Sequence, residues 1–329
     1  VSVLRAGVVG IGYLGRFHAR KYAALPGVEL TALVDIDPGR AQAMAAECGG
    51  QVFDDHRRII GQVDVASVVV PTAAHYAVSA DLLNAGIHVL VEKPMTATLA
   101  QGRRLSEMAA ATGRVLQVGH LERFNPAMLA LTARVDTPLF IESRRISPFR
   151  ERGSDTNVVM DLMIHDIDLI LELVGAPVRH LDACGVPVLS REIDVANARL
   201  RFATDCIADV TASRVGTGTE RSMRVFQREC CMTADMDRRT LEIRRRDHAA
   251  PMSAPALDVE RLVLPAGDAL LAEIRAFIDS VRRGQPPVVS AIDGLRALET
   301  AFAITAQVER NGHSWPTTNP DVMGRAGPS

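Results

Sequence analysis

Lysine is almost missing from this chain. Of its 37 basic residues only Lys21 and Lys93 are lysines, and the rest are arginines. Cysteine is also sparse. Cys48, Cys184, Cys206, Cys230 and Cys231 form no C-x-x-C pair and no metal-like spacing, so they read as reduced thiols in a cytoplasmic protein, with neither a disulfide framework nor a metal site expected. Excess charge is absent too: 37 basic residues face 39 acidic ones, a net charge of −2. That gives no electrostatic reason to expect nucleic acid or a membrane surface as partner. No run approaches the roughly 18 apolar residues of a membrane span. The first residues enter an apolar strand, Val3 to Val9, without the basic start and cleavage site of a secretion signal. What is present suits a soluble enzyme, with 47% apolar and 23% charged residues in 329. At about 100–200 residues per domain, that length predicts two domains.

The first 120 residues alternate short β-branched runs with longer Ala/Leu-rich segments. Strands are expected at Val3–Val9, Glu29–Asp35, Val65–Val70, Ile87–Val91 and Val115–Val118, with helices near 13–25, 39–47, 74–85 and 97–112. Alternating buried strands and helices indicate an α/β fold with a doubly wound parallel sheet. After His120 the pattern changes. A helix near 124–134, a strand Leu139–Ser147, an Arg/Asp/Gly/Ser loop at 150–157 and an apolar helix at 158–174 precede a series of strands. These are Val178–Leu189, Ala196–Ala203, Cys206–Val215, Met223–Met232, Leu241–Arg246 and Leu257–Leu264, with no helix between them. A large, open, mainly antiparallel sheet in a second, α+β domain follows. Helices at 267–283 and 293–311 close the chain before a Pro/Gly/Asn-rich tail. The expected division is a dinucleotide-binding domain at 1–121, a substrate-binding and oligomerisation domain at 122–314, and a loose tail at 315–329.

The segment Gly10-Ile11-Gly12-Tyr13-Leu14-Gly15 places G-x-G-x-x-G directly after the first strand and at a helix start. Gly10 permits the turn, Gly12 lets a pyrophosphate approach the backbone, and Gly15 lets helix and strand pack closely. The helix N-terminus then offers N–H groups and partial positive charge to the phosphates. Asp35 ends the next strand, 20 residues after Gly15, where it can accept hydrogen bonds from the adenosine ribose. Its charge would repel a 2′-phosphate, which favours NAD over NADP, although Arg40 lies nearby. Pro71-Thr72-Ala73-Ala74-His75 and Glu92-Lys93-Pro94 follow later strands, at the carboxyl ends where open α/β sheets bind ligands. His75 reads equally well as a helix-start residue.

Lys93 persists in a chain that otherwise uses arginine. Unlike arginine, a lysine loses its proton when desolvated or set beside another cation, and the oxidised nicotinamide is such a cation. The second reactive element is the helix at 158–174. Asp161, His165, Asp168 and Glu172 follow spacings of four, three and four on an otherwise apolar surface, forming one polar stripe expected to face a cleft, with Asp166 off its line. His165 titrates near neutrality, and Asp161 lies one turn earlier to orient it.

Together these residues resemble the glucose–fructose oxidoreductase / inositol dehydrogenase (Gfo/Idh/MocA) family. The likeness extends to the closing Pro287-Val288-Val289-Ser290 and Asp293-Gly294-Leu295-Arg296-Ala297-Leu298. It implies a Rossmann domain, a second domain whose open sheet makes homodimer or homotetramer contacts, and NAD(P)-dependent oxidation of a sugar or polyol hydroxyl. It also implies that Lys93, Asp161 and His165 are catalytic, with Lys93–Pro94 beside the nicotinamide. Within the family, Val118-Gly119-His120-Leu121-Glu122-Arg123-Phe124-Asn125-Pro126 and Ser147-Pro148-Phe149-Arg150 resemble the branch that acts on UDP-N-acetylglucosamine and supplies the diamino sugar of some lipid A. That likeness makes Arg123 and Asn125 candidate substrate ligands. Arg144, Arg145, Arg150 and Arg152 bunch just before the catalytic helix, and guanidinium forks suit a diphosphate, so Arg144 and Arg150 join them as candidates. A free inositol or simple sugar is the competing substrate. A non-catalytic cofactor sensor is the competing class of function.

Overall fold

The computed structural model describes residues 3–150 and 156–312. In the first part, β1 (Leu4–Val9), α1 (Gly15–Ala24), β2 (Val28–Val34), α2 (Pro38–Cys48), β3 (Gln51–Phe53), β4 (Val65–Val68), α3 (Thr72–Asn84), β5 (His88–Glu92), α4 (Leu99–Thr112) and β6 (Leu116–Gly119) follow in turn. The six strands are parallel, in the order β3-β2-β1-β4-β5-β6. Five stand where the β-branched runs lie. The sixth, β3, is a three-residue strand starting at Gln51, too short to show a period. The order reverses between β1 and β4, which opens a crevice at the strands' carboxyl ends.

The second part contains α5 (Pro126–Thr132), β7 (Phe140–Ile146), a wide π turn at Val159–Met163, α6 (Ile164–Val174), β8 (Val178–Val186), β9 (Val195–Phe202), β10 (Ile207–Ser213), β11 (Glu220–Gln227), β12 (Cys230–Asp235), β13 (Thr240–Asp247), β14 (Ala256–Val263), α7 (Ala269–Arg283) and α8 (Ala291–Gly312). Its eight strands run β14-β13-β12-β11-β7-β10-β9-β8, all antiparallel except the β7–β10 pair. The run Met223–Met232, expected as one strand, is two. Arg228 and Glu229 turn the chain between Gln227 and its partner Cys230, and Glu229 takes φ 60°. No Gly, Asn or Pro marks that turn, so the apolar run reads as continuous.

Three apolar layers hold these sheets. One joins the parallel sheet to α3 and α4 through residues such as Leu82, Leu83 and Leu105. Another covers its other face with α1, α2 and α7, including Tyr22, Met44 and Phe277. The third packs α6 and α8 on the inner face of the large sheet. Strand β9 shows the reason for that face: Ala196, Ala198, Leu200 and Phe202 are buried while the residues between them are exposed, a period of two. Phe277 is fully buried from the far end of the chain, worth about 1.5–3 kcal/mol, so α7 completes the first sheet. The expected loop at 150–157 lies largely, and the 315–329 tail wholly, outside the described residues, and Arg152 with them. Among the described residues no helix is long and apolar enough to cross a membrane.

Candidate active site

The glycine turn has the shape a dinucleotide needs. Gly10 has φ 93°, and a Cβ there would lie 2.6 Å from the Val69 carbonyl oxygen. At Gly15 a Cβ would lie 1.8 Å from the Gly10 carbonyl oxygen, so helix and strand meet at a distance only glycine allows. A Cβ on Gly12 would meet nothing within 4 Å; that position opens onto a cavity of about 800 Å³. Gly12, Tyr13, Asp35, Pro71, Thr72 and Lys93 are among its lining, as are Gly10, Leu14, His75 and Glu92. Arg40 also borders it, paired with Asp37 at 3.2 Å, and so do His56 and Arg57, which no motif marked. Asp35 is held in place by the Ile11 N–H at 2.6 Å and the Asp37 N–H at 2.8 Å.

Buried polar groups lock the far end of this cavity. His75 has Nδ1 2.9 Å from the Pro94 carbonyl and Nε2 2.9 Å from the Val70 carbonyl, clamping the loops after β4 and β5 together. Burial pushes its pKa down, against the pull of those carbonyls. Behind Lys93, Glu92 meets His18 Nε2 at 3.1 Å, and His18 Nδ1 lies 3.1 Å from Ser67. Burial opposes the Glu92 charge, but His18 and Lys93 outweigh it and lower its pKa. Glu273 on α7 is fully buried close by, and burial with Glu92's repulsion raises its pKa well above the ordinary range.

The two domains meet at Lys93, which follows β5 in a cis Lys93–Pro94 unit. Its ammonium donates to the Asp161 carbonyl at 2.7 Å and lies 3.3 Å from Asp161 Oδ1. Asp161 sits within the π turn, where the Ile164 N–H reaches back five residues to Val159; such turns recur at functional sites. His165 follows, four residues on. Burial first, then Lys93, push its imidazole well below the ordinary value of 6.5, so it is neutral at neutral pH, and its Nδ1 is buried without a partner. A cation, a carboxylate and a neutral imidazole thus converge beside the cavity, a set able to take a proton from a hydroxyl.

The other candidates part company. Asp168 and Glu172 leave the stripe for Arg123, whose fork takes Asp168 at 2.7 Å through both Nε and Nη2 and Glu172 at 2.8 Å through Nη1. Arg123 is buried and its donors are engaged within the protein. Asn125 caps α5, accepting from the Ala127 N–H at 3.0 Å and donating to Glu122 and the Met236 carbonyl. Arg144 lies on the opposite face of β7, exposed and 3.5 Å from Glu220, because alternate strand residues face opposite ways. Its neighbour Arg145 faces inward, onto Asp166 at 2.7 Å and Glu122 at 2.8 Å. Burial works against the Arg145 charge, and the two carboxylates overcome it, raising its pKa. Arg150 is exposed, next to residues outside the described set. Arg145 and, less strongly, Arg221 both bear electrostatically on His165, and the two arginines stand opposite each other in the β11–β7 register. The arginine cluster on β7 carries no sign of Arg221, since only the register shows which residue shares a face with Arg145.

The family profile described as an oxidoreductase family with an NAD-binding Rossmann fold matches residues 4–120, and the GFO/IDH/MocA C-terminal domain profile matches 129–230. The UDP-N-acetylglucosamine 3-dehydrogenase of Acidithiobacillus ferrooxidans is 36% identical over 93% of this chain and 97% of its own. The chain belongs to the Gfo/Idh/MocA family of NAD-binding oxidoreductases. Its further relatives include the scyllo-inositol 2-dehydrogenase (NAD(+)) of Bacillus subtilis, 28% identical over 94% of this chain and 95% of that one. The solved structure of the A. ferrooxidans enzyme superposes with a TM-score of 0.89 at 36% identity, covering 93% of this chain and 98% of that one. The scyllo-inositol dehydrogenase of Lactobacillus casei with bound NAD(H) and scyllo-inositol shares the fold at a TM-score of 0.79 and 20% identity, covering 94% of this chain and 98% of that one. The family's cofactor is NAD. The open approach at Gly12 and the cavity running from Asp35 to Lys93 fit it.

Proposed function

We propose that the protein oxidises the 3-hydroxyl of UDP-N-acetylglucosamine, with Lys93, Asp161 and His165 as its catalytic residues. The observation that carries the chemistry is the 2.7 Å contact that joins Lys93 of the first domain to the Asp161 backbone of the second. The sugar nucleotide rests on the 36% identity over nearly the whole chain. NAD, when bound, accepts the hydride. Lys93, held by Asp161, donates a hydrogen bond to the reacting hydroxyl oxygen. His165, kept neutral by its surroundings, takes the hydroxyl proton as the C=O bond forms. Positioned proton transfer of this kind is worth about 10²–10⁴ in rate. On this reading the 3-keto sugar passes to an amino-transfer step that supplies the diamino sugar of lipid A, in the cytoplasm. Two or four copies join through the outer face of the large sheet, where Arg224–Glu142 at 2.6 Å and Arg199–Asp209 at 3.5 Å leave a charged, laterally paired surface.

An inositol dehydrogenase is the second reading, favoured by the 28% identity over 94% of the chain. The test is NADH formation from NAD with UDP-N-acetylglucosamine or myo-inositol, together with calorimetric titration of UDP. Turnover of the UDP-sugar and saturable UDP binding are expected. Turnover of inositol without UDP binding would overturn the nucleotide-sugar assignment, and no turnover of either would favour a sensor.

A further inference from the structure

His120 is a buried histidine that no step above uses. It follows β6 directly, and the parallel register that pairs Glu92 with Gly119 sets it beside Lys93 at the carboxyl edge of the sheet. Its side chain is buried, and Nδ1 lies 4.0 Å from Asp168 Oδ2 with no hydrogen-bond partner. Asp168 is one helical turn beyond His165 on α6, and His165 also has its Nδ1 buried and unpaired. Each imidazole acts electrostatically on its surroundings here: Lys93 bears on both rings, and His120 bears on His165. Both ring nitrogens are thus buried without a partner, and an unsatisfied buried polar atom costs about 1–3 kcal/mol. Arg123 turns Nε and Nη2 to Asp168 and Nη1 to Glu172, and it makes no hydrogen bond to His120 Nδ1.

We propose that His120 is a positioning residue for His165, its Nδ1 accepting from the Nδ1–H of His165, directly or through one water, once substrate is bound. This rests on His165 taking the substrate proton. For His165 to do so at Nε2, its own hydrogen must sit on Nδ1, and Nδ1–H then needs an acceptor. Neutral His120 with its hydrogen on Nε2 offers one. As His165 gains the proton, Asp168, one turn along α6 and 4.0 Å from His120 Nδ1, adds a nearby negative charge. Hydrogen bonds of this kind are commonly long before substrate binds, and a one-water bridge serves nearly as well as a direct contact.

Three substitutions separate the roles of shape and polarity. In His120→Asn the amide oxygen stands near the Nδ1 position, His120→Leu has the same shape without the polarity, and His120→Gln carries its amide near Nε2 instead. Turnover of the sugar nucleotide by His120→Asn is expected within about threefold of the parent, while His120→Leu and His120→Gln lose about tenfold or more in kcat. KM for NAD should stay within about twofold in all three, since they leave the cofactor cavity intact. Equal losses in Asn and Leu, or parental turnover in Leu, would overturn the proposal. If His120→Leu fails to bind NADH, His120→Gln decides: a loss supports the proposal and parental turnover overturns it. His165→Asn is run alongside. If it keeps parental turnover, the catalytic reading of His165 fails, an outcome distinct from failure at His120.

Discussion

The two halves of the site are built differently. On the cofactor side, function comes from backbone shape: the glycine turn, the strand ends and one carboxylate tied to two main-chain amides. On the substrate side, it comes from charges that hold one another. Arg145 grips Asp166 and Glu122, Arg123 grips Asp168 and Glu172, and Lys93, Asp161 and His165 are the groups proposed to face the reaction. A backbone-built site is damaged by any side chain placed in it. A charge-built site is damaged by removing a single partner.

Four changes sharpen that contrast, from large effect to small. Gly12→Ala puts a Cβ where the protein has open space, so thermal unfolding should be unchanged while NADH binding, followed by fluorescence, weakens about a hundredfold. Parental affinity would show that the pyrophosphate does not approach there. Arg145→Leu leaves Asp166 and Glu122 as uncompensated buried charges, an expected loss of about 3–5 kcal/mol in denaturant unfolding. A loss below about 1 kcal/mol would mean the triad is solvated.

Proton balance gives the third. The His165 imidazole lies well below its ordinary 6.5, from burial and then Lys93. Turnover should therefore hold as pH falls through 6.5 and decline only below it. An unfolded His165 does take up a proton near 6.5, so the same group lowers stability as pH falls below that value. An acid limb in kcat at or above 6.5 would contradict the assignment. Smallest of all, Arg144→Ala touches only an exposed contact, and unfolding should shift by no more than about 0.5 kcal/mol with kcat unchanged. A marked loss of kcat would return Arg144 to the site.

Much of the cofactor side was readable from residues alone, because its information is local. Gly10, Gly12 and Gly15 stand within one turn, Asp35 ends the next strand, and Lys93 stands out by composition. The substrate side depends on register. Arg144 and Arg145 are adjacent in the chain, yet one faces out and the other into the core, and no composition or spacing tells which. Arg221 shares a face with Arg145 only because β11 pairs with β7, a contact between distant segments. Likewise the spacing makes the polar stripe at 161–172 uniform, whereas Arg123 takes its second half, Asp168 and Glu172. His120 lies in the 118–126 stretch that resembles the family, but nothing in that stretch marks which distant residues surround its ring.

The central claim is that Lys93 serves the reacting hydroxyl while the cofactor side stands without it. Single-turnover hydride transfer by Lys93→Met, with NAD already bound and UDP-N-acetylglucosamine added, measures this most directly. The account predicts parental affinity for NAD and NADH formation slower by at least about a hundredfold. Hydride transfer at the parental rate would contradict it.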